Sequence, residues 1–158
     1  MRKIIITFLS AALAFSLASC GAGSTAATRN TTRVTDGSEA SITKNNNDIK
    51  VRNLLIVSTP DGTGVLVGTI INGLPVEDAL LGLSVNGIAA TFTGTSTLPQ
   101  NSPIRLEGES ANAKATIPAL NAVPGNHVTV TMFFANAGEL TLPAIVRDQR
   151  DIYAGITP

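Results

Sequence analysis

Asn126-His127-Val128-Thr129-Val130-Thr131-Met132-Phe133-Phe134 decides the architecture, because Val128, Val130, Met132 and Phe134 fall on one side of an extended chain and Thr129 and Thr131 on the other. A period of two is that of a half-buried strand. Ala135 to Gly138 then reads as a turn into Glu139 to Val146, where Leu140, Leu142 and Ala144 continue the inward face, so the two runs form a hairpin. Pro143 removes a ladder donor from the second run, which predicts an edge position or a bulge there.

The same rhythm extends upstream. Ile49 to Val57 and Gly64 to Ile71 are joined through Pro60-Asp61-Gly62, a turn triplet. Asn86-Gly87 suits a type I′ turn between Leu81, Leu83 and Val85 on one side and Ile88, Ala90 and Phe92 on the other. Shorter runs at Ile104 to Glu107 and Lys114 to Ile117 bring the total to about eight strands. The best helical rival is Leu74 to Leu81, where Pro75 and the acids Glu77 and Asp78 look like a helix start, but Gly82 and Gly87 limit it to one or two turns. The expected fold is all-β, an antiparallel two-sheet sandwich of immunoglobulin-like or cupredoxin-like type.

The first twenty residues carry a different signal. Met1-Arg2-Lys3 is a positive start and Ile4 to Leu17 an apolar run of signal-peptide rather than membrane-spanning length. Leu17-Ala18-Ser19-Cys20 follows, resembling the lipobox at which bacterial lipoprotein precursors are processed. That resemblance implies cleavage before Cys20, Leu17, Ala18 and Ser19 as signal-peptidase recognition residues, and a diacylglycerol on the Cys20 sulfur, with a further palmitate-like acyl chain on the amino terminus in some bacteria. Two chains hold a protein at a membrane where one binds only marginally. The expected place is the extracytoplasmic face of the cell membrane, anchored by lipid and not spanning.

Residues 1–19 are thus expected to be signal peptide, 20–47 the lipidated Cys and a flexible linker, and 48–158 the sandwich domain. The linker is Gly, Ser, Thr, Ala and Asn with few large apolar residues, and its r.m.s. reach is about 25–30 Å.

Composition narrows the function. The precursor has 11 basic and 11 acidic side chains; loss of Arg2 and Lys3 leaves 9 against 11, so no electrostatic attraction to nucleic acid is expected. Only Phe92, Phe133, Phe134 and Tyr153 remain as aromatics after the signal, and there is no Trp, which disfavours sugar and single-strand stacking platforms.

Val51-Arg52-Asn53-Leu54-Leu55-Ile56-Val57 with Asp61-Gly62-Thr63-Gly64, Pro124-Gly125 leading into Val128 to Phe134, and Ala137-Gly138 with Leu140, Leu142 and Pro143 together resemble actinobacterial surface lipoproteins of the LpqE type. Those are similar in turn to the sandwich domain of PCu(A)C copper chaperones. The resemblance implies an extracytoplasmic cupredoxin-like domain. The chaperones hold Cu(I) with His and Met, including a close His-x-Met pair, and that pair is missing here. After the signal the chain has one His, His127, and one Met, Met132, five apart on one predicted strand and so on opposite faces. They are weak metal candidates, since ligands facing opposite ways do not form one mononuclear soft-metal site. No metal or other cofactor is expected.

Catalytic motifs are equally thin. Gly-x-Ser-x-Gly is absent, Asp61-Gly62-Thr63-Gly64 lacks the second carboxylate of a calcium loop and the Lys of a phosphate loop, and Glu77-Asp78 and Glu107 with Glu109 lack an aromatic cleft. Arg147 to Asp151 reads as a solvated charged run. No enzyme is expected; the expected function is a binding or interaction module with an envelope protein or cell-wall partner. A metal-handling module and an enzyme with an unrecognised site stand as the alternatives.

Overall fold

A computed structural model describes residues 36–158. The signal peptide at 1–19, with Leu17, Ala18 and Ser19, the lipidation residue Cys20 and the linker as far as Thr35 lie outside the described residues. Eleven strands are present among those described: β1 Ser38–Ile42, β2 Ile49–Ser58, β3 Gly64–Asn72, β4 Asp78–Val85, β5 Ile88–Ala89, β6 Thr91–Gly94, β7 Thr97–Leu98, β8 Ile104–Arg105, β9 Ala113–Ile117, β10 His127–Phe134 and β11 Gly138–Asp148. One short 3-10 turn, Asp151–Tyr153, follows. The fold is the expected all-β sandwich.

β10 and β11 pair antiparallel from His127 opposite Ile145 to Phe134 opposite Gly138. β2 and β3 form the second long hairpin, turned through Pro60-Asp61-Gly62 with Gly62 N–H donating to Thr59 O at 3.0 Å. The hairpin kinks at a bulge: Arg52 faces Thr69 and Leu55 faces Val67, so Asn53 and Leu54 stand opposite Gly68 alone. A Cβ on Gly68 would lie 3.0 Å from Leu54 Cδ1, and the close approach of the two backbones requires its absence. Below the bulge β2 pairs with β1, and above it with β11. The bulge is the point at which β2 changes partner.

The sheet runs β5-β4-β10-β11-β2-β3-β9-β6. Its two ends are halves of one segment, Ile88 to Gly94, broken only at Ala90, so β5 pairs with β4 while β6 pairs with β9. The sandwich therefore closes on itself as a flattened barrel. The closed interior holds Val51, Leu54, Ile56, Leu66, Ile70, Val130, Met132 and Phe134, each less than a tenth exposed.

Leu55, Val57 and Val65 are also fully buried, yet stand outside that interior cluster. They lie on the outer face. The C-terminal segment leaves β11 and reaches β9, where Lys114 Nζ donates to Thr157 O at 2.6 Å; β2 and β3 lie between those strands, so the segment crosses over them. Asp36 fastens both sides of this end, accepting from Tyr153 Oη at 3.2 Å and pairing with Arg147 at 3.3 Å.

Several expectations are corrected. Ser38–Ile42, placed within the flexible linker of 20–47, is a strand: its backbone ladder with β2 and the half-buried Ala40 and Ile42 supply what its polar composition lacks. Leu74 to Leu81 contains no helix start among the described residues, because Asp78 opens β4. Leu81 does not face inward with Leu83 and Val85. Phe134 stands opposite Leu80 and Phe133 opposite Gly82, which leaves Leu81 as the bulged residue, 69% exposed. The sheet is not wholly antiparallel, since β11 runs parallel to β2 from Ile145 to Asp148. Pro143 precedes that ladder and pairs only with Thr129 of β10, so its missing N–H breaks no second ladder. β8 ends at Arg105, short of the run expected to reach Glu107.

Candidate functional site

Strand directions divide the molecule into two ends. One carries the Pro60 turn, the Asn86-Gly87 turn, the start of β10 and the end of β11; the other carries the loops 43–47 and 73–77 and the turn 135–137. Asp36, the first described residue, is bound to Arg147 at the first end. The second, distal end lies about 26 Å away, the rise of the eight steps from Arg147 to Glu139.

The distal end is assembled around two buried polar side chains. Asp78, 4% exposed, accepts from the backbone N–H of Ala79 at 2.7 Å, of Asn136 at 2.9 Å and of Ala137 at 3.0 Å. One carboxylate thus joins the start of β4 to the turn between β10 and β11. Asn136 completes the clasp by donating its amide to Glu77 O at 2.9 Å. Asn72, 2% exposed, donates to Val76 O at 2.7 Å and Leu98 O at 2.9 Å and accepts from Leu74 N–H at 2.9 Å. It holds the loop 73–77 in place. A buried polar group with all its partners rigidifies what it touches.

Between these loops lies a pocket of about 370 Å³. Its walls are amides and small aliphatics: Asn45, Asn46, Asn47, Asn72 and Asn136 with Leu74, Val76 and Ala135, together with the buried Asp78. Asn45 and Asn46 both adopt left-handed backbone (φ 53° and 58°), a conformation Asn tolerates better than most residues. Asn47 fixes that turn by donating to Lys44 O at 3.2 Å.

The residues singled out from the sequence are not at this pocket. His127 begins β10 at the opposite end, exposed, and Met132 is fully buried in the interior. They lie about 16 Å apart along the strand and on opposite faces, as their spacing predicts. Asp61 organises its turn: hydrogen bonds from the Thr59 and Thr63 hydroxyls and from Thr63 N–H hold its carboxyl below the ordinary 3.8. Tyr153 is pushed above its ordinary 10 by burial and by Asp36 beside it. Among the described residues no three His, Cys, Asp or Glu side chains are grouped to hold a metal ion, and no helix is long and apolar enough to cross a membrane.

Sequence reasoning missed the pocket. The sequence pattern offers Asp78 as a helix-start acid or half of an acid pair, but two of its three partners are 58 and 59 residues away, a distance no local pattern spans.

No protein-family model matches the chain, and no curated protein is similar to it. Solved structures are. The apo PCuAC domain from PmoF1 superposes with a TM-score of 0.58 at 20% identity, over 70% of this chain and 99% of that domain. The copper-bound PCuAC domain from PmoF2 gives 0.58 at 19% identity, over 70% and 98%, and the apo form of that domain 0.55 at 17%, over 65% and 92%. At these identities the likeness is one of fold. The soft donors in this sequence are Met1, Cys20, His127 and Met132, and the two among the described residues do not converge, so the described residues do not fit a mononuclear Cu(I) site.

Proposed function

We propose that this chain is a lipid-anchored envelope module of PCuAC fold that binds a partner at its distal end and does no chemistry. The observation carrying this reading is the pair Asp78 and Asn72, which spend two buried polar side chains on stiffening the loops of one pocket, at the end away from Asp36. Loops held rigid on a scaffold are where binding residues concentrate. A lipid anchor at Cys20 would hold the domain near the membrane on a linker short enough to keep the local concentration of a neighbouring partner high.

The test is crosslinking of the protein in its native membrane from a photoreactive side chain at Val76, compared with one at His127. A partner captured from position 76 and not from 127 supports the reading, and capture from 127 alone overturns it. Palmitate incorporation that disappears in Cys20→Ala tests the anchor; an unlabelled wild-type protein would reject it.

A second reading, copper handling, draws on the likeness to the copper-bound domain from PmoF2. Met132 is buried in the interior, so His127 is the one accessible soft donor among the described residues, and a site shared between molecules through His127 is the geometry available to this reading. Cu(I) titration against a chromophoric competitor separates the two readings. Sub-micromolar binding that is lost in His127→Ala would establish the second.

A further inference from the structure

We infer that the distal pocket takes a short uncharged peptide segment bearing a small aliphatic side chain. This deepens the reading above and rests on it. The lining argues by what it supplies. No basic side chain lines it, so an anionic ligand would find no counter-charge. Its single acid, Asp78, is 4% exposed and has its carboxylate engaged by three backbone N–H groups, so it offers a cation little accessible charge. It has no aromatic wall, and a sugar ring would have nothing to stack on. What remains is a set of amides that both donate and accept, the pairing chemistry of another amide.

Among the described residues the loop's own hydrogen bonds use the Asn47 side chain and leave the Asn45 and Asn46 amides out of them. Asn45 and Asn46 line the pocket together with Leu74, Val76 and Ala135. Val76, one of the lining residues, is 62% exposed and so accessible to a ligand. An amide group seated on Asn45 and Asn46 would lay an adjoining methyl or isopropyl group against those aliphatics. The volume, near the small end of the range for ligand sites, admits a segment and not a folded domain.

Amide NMR of the full chain in detergent micelles tests this, with N-acetyl-trialanine amide as the probe and N-acetylchitotriose as the comparison. Shifts confined to 45–47, 74–76 and 135–136, half-saturating near about 1 mM, are expected with the peptide and none with the sugar. Val76→Asp, a change at an exposed position that leaves the spectrum dispersed, is expected to weaken the peptide at least about tenfold. Peptide shifts absent up to about 20 mM, equal shifts with the sugar, or shifts unchanged in Val76→Asp each overturn the inference. Failure here with continued crosslinking from position 76 removes the peptide ligand and leaves the interaction module standing.

Discussion

The two ends of the sandwich differ in whether a charge is buried. At the end where Asp36 lies, charges are many, paired and wet: Arg147 with Asp36 at 3.3 Å and Arg150 with Asp148 at 2.9 Å, all four side chains more than a third exposed. The distal end has an ion pair too, Lys50 with Asp48 at 2.7 Å, but there one carboxylate, Asp78, is also buried and bound by three N–H groups. Exposed ion pairs contribute little, because water screens them and long side chains lose entropy to form them. A buried acceptor that loses its role strands every donor it served. The number of charges at an end therefore says less about its rigidity than the burial of a single one.

The largest expected effect breaks or sustains this contrast directly. Asp78→Ala should cost about 3–5 kcal/mol in urea unfolding, since three N–H groups lose their acceptor. A loss no greater than that of an exposed pair would sink the comparison. Met132→Ala should cost about 3 kcal/mol through the cavity it leaves in the interior. Asp36→Ala should cost less than about 1 kcal/mol by the same measurement, although it removes two contacts.

Smaller still are the titrations at the Asp36 end. Asp61 has a folded-state pKa below its ordinary 3.8, so its contribution is present above that value and lost as pH falls through the lower, folded one. Stability measured below about pH 4 should therefore decline less steeply in Asp61→Asn than in the parent. Tyr153 shifts the other way: its contribution is complete below 10 and fades as pH rises through the raised value, so Tyr153→Phe should flatten the alkaline decline. His127→Ala should alter stability by no more than about 0.5 kcal/mol, which a thermal melt resolves from the Met132 effect on the same strand.

Much of this molecule was legible in the sequence where neighbours along the chain determine the outcome. The alternation in β10 places Met132 inward and His127 outward, and the Pro60-Asp61-Gly62 turn joins β2 to β3. The losses came where a distant segment decides. Ser38–Ile42 is polar enough for a linker and becomes a strand because β2 offers it a ladder. Leu81 fits an inward pattern until the pairing with Phe133 and Phe134 skips it. The pocket was illegible for the same reason, since Asn45, Val76 and Asn136 meet only when β2 pairs with β3 and β10 with β4.

The segment Ile88 to Gly94, which completes the wall from both sides, matters most where molecules are crowded in two dimensions. An open sheet would offer neighbouring copies a row of idle backbone donors and acceptors, and copies confined to one membrane would zip together along them. Here the outermost strands on that path are two and four residues long and belong to a single crossing piece of chain. Along that path the wall therefore presents two short edges from one piece of chain in place of a long idle row.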